Sequence, residues 1–250
     1  MARTVLIAVL LTLMAWVTPA SAERRVALVI GNSQYKQVAQ LKNPANDAAS
    51  LATALRSIGF DSVTLKLDLN QTDLRRTLGR FSREAAGADI ALIYFAGHGI
   101  EVRGANYVIP VDARLSHVDD IDFEAIELSK LMRSLGRAGK LKLVILDACR
   151  NNPFADRMLV PAGSRSVGRG LAGVNPAGSD TLVAYAAKEG TVAADGSGQN
   201  SPYAKALVKH ITTPGLDVRL LFGRVRDEVL KSTGRRQEPF TYGSLGGEAV

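Results

Sequence analysis

The chain has 250 residues, of which 46% are hydrophobic and 22% charged, with a formal net charge of +7. This is an ordinary globular composition, and no Pro/Gly/Ser-rich linker divides it into two self-sufficient hydrophobic halves, so one large domain is expected. The positive charge would suit nucleic acid, but the Lys and Arg residues are scattered, with neither an aromatic platform nor a nucleic-acid motif, so no nucleic-acid partner is expected.

The first segment has a charged start at Arg3, an apolar run from Val5 to Val17 and the small residues Ala20-Ser21-Ala22, the pattern of an export signal over residues 1–22. The run is too short to span a bilayer, so cleavage after Ala22 is expected, leaving a periplasmic or secreted chain without a stable membrane anchor; a retained anchor is the competing reading. Exported proteins usually carry cysteines in pairs, and this chain has only Cys149, so no internal disulfide can form and an unpaired thiol needs another explanation.

Arg25 to Gly31 is a continuous apolar run ending in glycine, which suits a strand buried on both faces of a parallel sheet. A helix capped by Asn46 should follow, with Asp47 in its first turn, a stripe of Ala48, Leu51, Ala52, Leu55 and Ile58, and a stop at Gly59. Asp61 to Leu67 alternates as a second strand, and Asn70 opens a helix in which Leu74, Leu78 and Phe81 share a face before Gly87. The third strand, Asp89 to Phe95, runs into Ala96-Gly97-His98-Gly99. Gly104 to Pro110 reads as a hairpin arm, Leu128 to Leu135 as a helix, and Leu141 to Leu146 as a fourth strand running into Asp147-Ala148-Cys149-Arg150. Residues 154–179 are glycine-rich and show no apolar period, so a mobile loop is expected there. Thr181 to Ala186 is a fifth strand, followed by helices at 202–211 and 216–231. Strands alternating with helices predict an α/β fold whose mostly parallel sheet carries helices on both faces, with right-handed crossovers.

Functional groups in such sheets gather at the carboxyl ends of the strands. His98 lies just past the third strand and Cys149 just past the fourth, so neighbouring strands would bring them to one rim. Tyr94-Phe95-Ala96-Gly97-His98-Gly99 and Ile145-Leu146-Asp147-Ala148-Cys149-Arg150, with the histidine about 50 residues ahead of the cysteine, resemble the two signatures of the caspase, metacaspase and paracaspase group. Gly31-Asn32, Asn46-Asp47-Ala48 and Ala184-Tyr185-Ala186 also fall where such proteins have them, so the resemblance extends over most of the chain after residue 22. Asp-Ala-Cys-Arg-Asn replaces the eukaryotic Gln-Ala-Cys-x-Gly and is similar to the metacaspase-like bacterial branch.

The resemblance implies a caspase-like three-layer sandwich with a large-subunit-like part (23–153), the loop 154–179 and a small-subunit-like part (180–250). It also implies a cysteine endopeptidase. A thiolate at Cys149 would attack the peptide carbonyl, and His98 would protonate the departing amine. The backbone N–H groups of Gly99 and Cys149 would hold the developing oxyanion. No orienting acid can be named, and the family is not thought to need one. Acids matching Asp47, Asp147 and Glu189 would line the pocket for the residue before the cut. Carboxylates there favour arginine, then lysine, and repel aspartate, so protein or peptide substrates cut after Arg or Lys are expected. Arg165 and Arg169 in the loop are candidate self-cleavage sites.

Plainer readings stand beside these. Free cysteine is commonly a packing residue, Asp47 is a good first-turn helix acid, Asp147 could merely close a strand, and Lys188-Glu189-Gly190 reads as a solvated turn. His117 and His210 read as surface residues. One Cys and three His at irregular spacing make no zinc site, and no cofactor is expected; calcium dependence stays open because no calcium loop is legible. An inactive relative that uses the fold as a binding or scaffolding module is the alternative to an active peptidase.

Overall fold

Strands that are apolar at every position must be covered on both faces, and the alternation along them shows how this is done. The computed structural model describes residues 23–149, 153–154, 158–159, 171–172, 179–188, 193–196 and 198–247, with Cys149 described by its backbone alone. Strands β1 (Arg25–Gly31), β2 (Ser62–Leu67), β3 (Ile90–Val102), β6 (Leu141–Cys149) and β7 (Thr181–Tyr185) pair in parallel in the order β2-β1-β3-β6-β7, and β8 (Phe240–Ser244) closes the edge antiparallel to β7. Ala27, Val29, Leu92, Tyr94, Leu143 and Ile145 point to one face, where they pack under helices α1 (Pro44–Ser57), α5 (Pro202–Ile211) and α6 (Val218–Ser232). Val26, Leu28, Ile30, Ile93, Phe95, Val144 and Leu146 point to the other, covered by α2 (Gln71–Glu84) and α4 (Leu128–Ser134). The expected three-layer α/β sandwich is present.

A third apolar cluster, including Tyr35, Ile100, Tyr107, Ile109 and Phe154, lies beyond the carboxyl ends of the strands. It explains one difference from expectation. The glycines around His98 suggest that β3 should stop at Phe95, yet β3 continues to Val102. It does so because β4 (Ala105–Val108) folds back on it, pairing Gly99 with Val108 and Val102 with Ala105. Arg103 and Gly104 both have positive φ, 54° and 80°, as a two-residue hairpin turn requires. A short helical stretch, Val118–Asp120 and α3 (Ile121–Glu124), leads to β5 (Ile126–Glu127), which pairs with β4.

The helix after β1 starts earlier than expected. Its N-cap is Asn43, with Pro44 in the first turn, and Asn46 lies inside it. Proline suits that position because its missing N–H would have no intrahelical partner. Asn70 caps α2 as expected, accepting from the Asp73 amide at 2.8 Å.

The Gly31-Asn32 pair is structural. A Cβ on Gly31 would stand 2.3 Å from the Pro44 carbonyl oxygen and 2.9 Å from the Ala48 Cβ, so α1 can reach the end of β1 only over glycine. The buried Asn32 side chain accepts from the Leu69 amide at 3.0 Å and donates to the Ile109 carbonyl at 3.2 Å, tying β1 to the loops beyond the sheet. Gly31→Ala is therefore expected to destabilise the fold by about 1–3 kcal/mol, the usual cost of overpacking. A urea-unfolding midpoint equal to that of the wild type would show that α1 yields without cost.

Candidate active site

In the parallel ladder between β3 and β6, Ala96 pairs with Asp147, Gly97 with Ala148 and His98 with Cys149. Adjacent strands lie about 4.8 Å apart, so the histidine and cysteine backbones are direct neighbours at the carboxyl edge of the sheet. Both residues sit within the final stretch of strand and not in the loops expected after Phe95 and Leu146. A strand holds a side chain more rigidly than a loop does.

His98 is 5% exposed. Its Nε2 lies 3.0 Å from the carbonyl oxygen of Ala39. A carbonyl can only accept, so Nε2 carries the proton and Nδ1 presents its lone pair. That Nδ1 is buried and has no hydrogen-bond partner among the described residues. Burial lowers the His98 pKa from its ordinary value, with the Ala39 bond and the charge of Asp195 acting in opposition. The ring is thus held neutral, in one tautomer, with a free basic nitrogen. A main-chain carbonyl supplies the orientation for which no acid could be named from sequence.

Tyr35 is the second support. Its hydroxyl accepts from the His98 amide at 2.7 Å and donates to the Ile109 carbonyl at 3.2 Å, and its ring centroid lies 4.4 Å from that of the imidazole. Gly97 makes room for it, because a Cβ there would lie 2.5 Å from the tyrosine oxygen. The Ile109 amide donates to the His98 carbonyl at 3.0 Å. In a trans peptide the next N–H points the opposite way, so the Gly99 N–H faces away from that contact, towards β6.

Asp147 lies on the same face of the sheet as Tyr94 and is 8% exposed. It accepts from the Ser201 hydroxyl at 2.6 Å and from Tyr94 at 3.1 Å. Asp47 occupies the first turn of α1, as expected, but its carboxylate turns towards α5 and accepts from the Ser201 amide at 3.0 Å and from the Asn200 side chain at 2.8 Å. Ser201, the N-cap of α5, thereby touches both acids. Burial and the charge of Asp147 push the Asp47 pKa up to about 7. Burial raises that of Asp147 to about 6, against the lowering pull of Ser201 and Tyr94. Neutral donors hold both carboxylates, and no Lys or Arg is among the groups that shift them.

A third acid, Asp195, adds its charge to Asp47, Asp147 and His98. It is fixed by the Lys42 amide, 3.0 Å from its carboxylate, and by Asn43, whose side chain donates to its carbonyl. Among the described residues the buried side-chain polar atoms without a partner are His98 Nδ1, Asn43 Oδ1 and the Tyr203 hydroxyl, and all three border this cluster. Buried polar groups are seldom left unpaired, so their concentration beside these carboxylates sets the cluster apart from the rest of the described core.

Glu189, Arg165 and Arg169 lie outside the described residues, as does most of the loop 154–179. His117 is exposed as expected, whereas His210 is half-buried, with Nε2 2.6 Å from Glu228. Tyr35, Ala39, Asp195 and Ser201 carry no site signature in the sequence, and only the fold brings them to the site. A cavity of about 610 Å³ lined by Phe60, Ile90, Leu141 and Leu216 sits at the opposite, amino end of the sheet.

A family profile described as the caspase domain matches residues 24–249. The human mucosa-associated lymphoid tissue lymphoma translocation protein 1 is 33% identical over 136 residues, covering 54% of this chain and 16% of that protein. The mouse homologue matches at the same identity and coverage. The paracaspase of Dictyostelium discoideum is 28% identical over 137 residues, 52% of this chain and 32% of that protein. The matched segment thus covers a third or less of each of these relatives.

Proposed function

The chain belongs to the caspase-domain family of cysteine peptidases, and from that membership we propose that it is an endopeptidase cutting after arginine or lysine, with Cys149 as nucleophile and His98 as its proton-transfer partner. The single observation that carries the reading is the pairing of His98 with Cys149 across β3 and β6, beside buried acids that no described cation neutralises. A neutral imidazole with a free Nδ1 takes the thiol proton. The thiolate attacks the carbonyl carbon, the N–H groups of Gly99 and Cys149 receive the oxyanion, and His98 returns the proton to the leaving amine. Water then hydrolyses the acyl-enzyme.

Asp47, Asp147 and Asp195 are the acids that would receive the substrate side chain. A guanidinium has five donors in a planar fork, so it can engage more than one carboxylate at once, and arginine should be favoured over lysine. The leader-like pattern of residues 1–22 supports an exported enzyme. A positional peptide library tests the specificity: cleavage is expected after Arg, more weakly after Lys, and not after Asp or citrulline. Equal cleavage after citrulline, which keeps the shape and loses the charge, would discard the acidic pocket.

A further inference from the structure

We propose that Tyr35 is a positioning residue for catalysis, holding the His98 imidazole at the angle from which Nδ1 reaches the thiol. The inference rests on the reading of His98 as proton-transfer partner and extends it to the residue that lies against that imidazole and binds its main-chain N–H. A histidine ring needs two constraints, one on its in-plane direction and one on the backbone that carries it. The Ala39 carbonyl supplies the first through Nε2. Tyr35 supplies the second through its hydroxyl, which receives the His98 main-chain N–H, and its ring also lies against the imidazole, tilted by 54° at 4.4 Å.

The local backbone is built around this contact. The ladder between β1 and β3 ends at Ala96, two residues before His98, and the His98 N–H goes to a side-chain oxygen instead. The hydroxyl passes the connection on to the Ile109 carbonyl, and the Ile109 amide returns to the His98 carbonyl, so both main-chain polar groups of His98 are tied to one short circuit. Gly97, with φ of 154°, admits the hydroxyl where any side chain would expel it. The first glycine of Ala96-Gly97-His98-Gly99 thus serves Tyr35.

Tyr35→Phe keeps the ring and removes only the hydroxyl; Tyr35→Ala removes both. Wild type and variants are to be compared in hydrolysis of an arginyl peptide and in the pH dependence of alkylation by iodoacetamide, which reports Cys149 alone because the chain has one cysteine. Tyr35→Phe is expected to lower kcat about tenfold with KM changed less than about twofold, since a small misplacement of a catalytic group acts on the chemical step. Its alkylation profile should move to higher pH, because the thiolate loses a well-placed imidazolium. Tyr35→Ala should do both more strongly. An alkylation profile identical to that of the wild type, even in a variant of lowered stability, would reduce Tyr35 to a packing residue and overturn the proposal. Hydrolysis persisting in Cys149→Ala would instead sink the peptidase mechanism, while the alkylation comparison would still decide the role of Tyr35.

Discussion

Cys149→Ala is expected to reduce hydrolysis of an arginyl peptide to background, and His98→Ala to lower kcat by on the order of 10²–10⁴-fold. The two losses differ in origin. Without sulfur no acyl-enzyme can form, whereas without the imidazole the thiol remains but is neither deprotonated near neutral pH nor followed by a donor for the leaving amine. The tautomer held by Ala39 makes the second loss specific: Nε2 is committed as a donor, so only Nδ1 is available to move a proton. The double variant should be no worse than Cys149→Ala alone, because without the thiol neither proton transfer by the histidine has a reaction to serve. Circular dichroism and urea midpoints establish that the variants remain folded. A Cys149→Ala protein that cuts at the wild-type rate would place the chemistry elsewhere in the molecule.

How much of this could be read in the sequence depends on which groups carry the chemistry. β1, β3 and β6 are legible because burial on both faces forces apolar residues at successive positions, and His98 and Cys149 stand out because they interrupt those runs at corresponding places. The orienting acceptor for His98 is a main-chain carbonyl, which any residue at 39 could provide, so it leaves no signature. Tyr35 lies in an irregular segment where no period distinguishes an aromatic that supports a site from one that fills space. Asp195 stands in Ala194-Asp195-Gly196, the composition of a solvated turn, and only its ties to Lys42 and Asn43, some 150 positions away, draw it to the cluster. β8 was missed for a related reason: Phe240–Ser244 contains Gly243, where a Cβ would stand 2.0 Å from the Thr181 carbonyl oxygen, so the residue that permits close pairing also breaks the strand pattern. At the start of α1, Asn46 has the composition of a cap, but Pro44 carries the better signal.

The proposed acidic pocket predicts a pH dependence whose sign separates it from the proposed catalytic pair. The Asp47 carboxyl is pushed up to about 7 and that of Asp147 to about 6, while His98 is lowered from its ordinary value, so Asp47 gains its proton before the imidazole does as the solution is acidified. A guanidinium binds the ionised carboxylates, so KM for an arginyl peptide should rise as pH falls through 7 and then 6. A substrate with an uncharged residue before the cut should show no such limb. Folding responds in the opposite direction. Both carboxyls have pKa values above the ordinary 3.8, so between about pH 4 and pH 7 the native state binds more protons than the unfolded chain and its stability falls as pH rises. The groups facing the pair, Asp195, Tyr94 and Tyr203, add no positive charge to offset this. Asp147→Asn should therefore lower kcat/KM for arginyl substrates by on the order of 100-fold, by removing one partner of the bound cation, and yet raise the melting temperature of the free protein at pH 8. A bound arginyl inhibitor should stabilise the wild type more than Asp147→Asn. If the substitution left KM and its pH dependence unchanged, the carboxylates would not be the substrate pocket, however close they lie to His98.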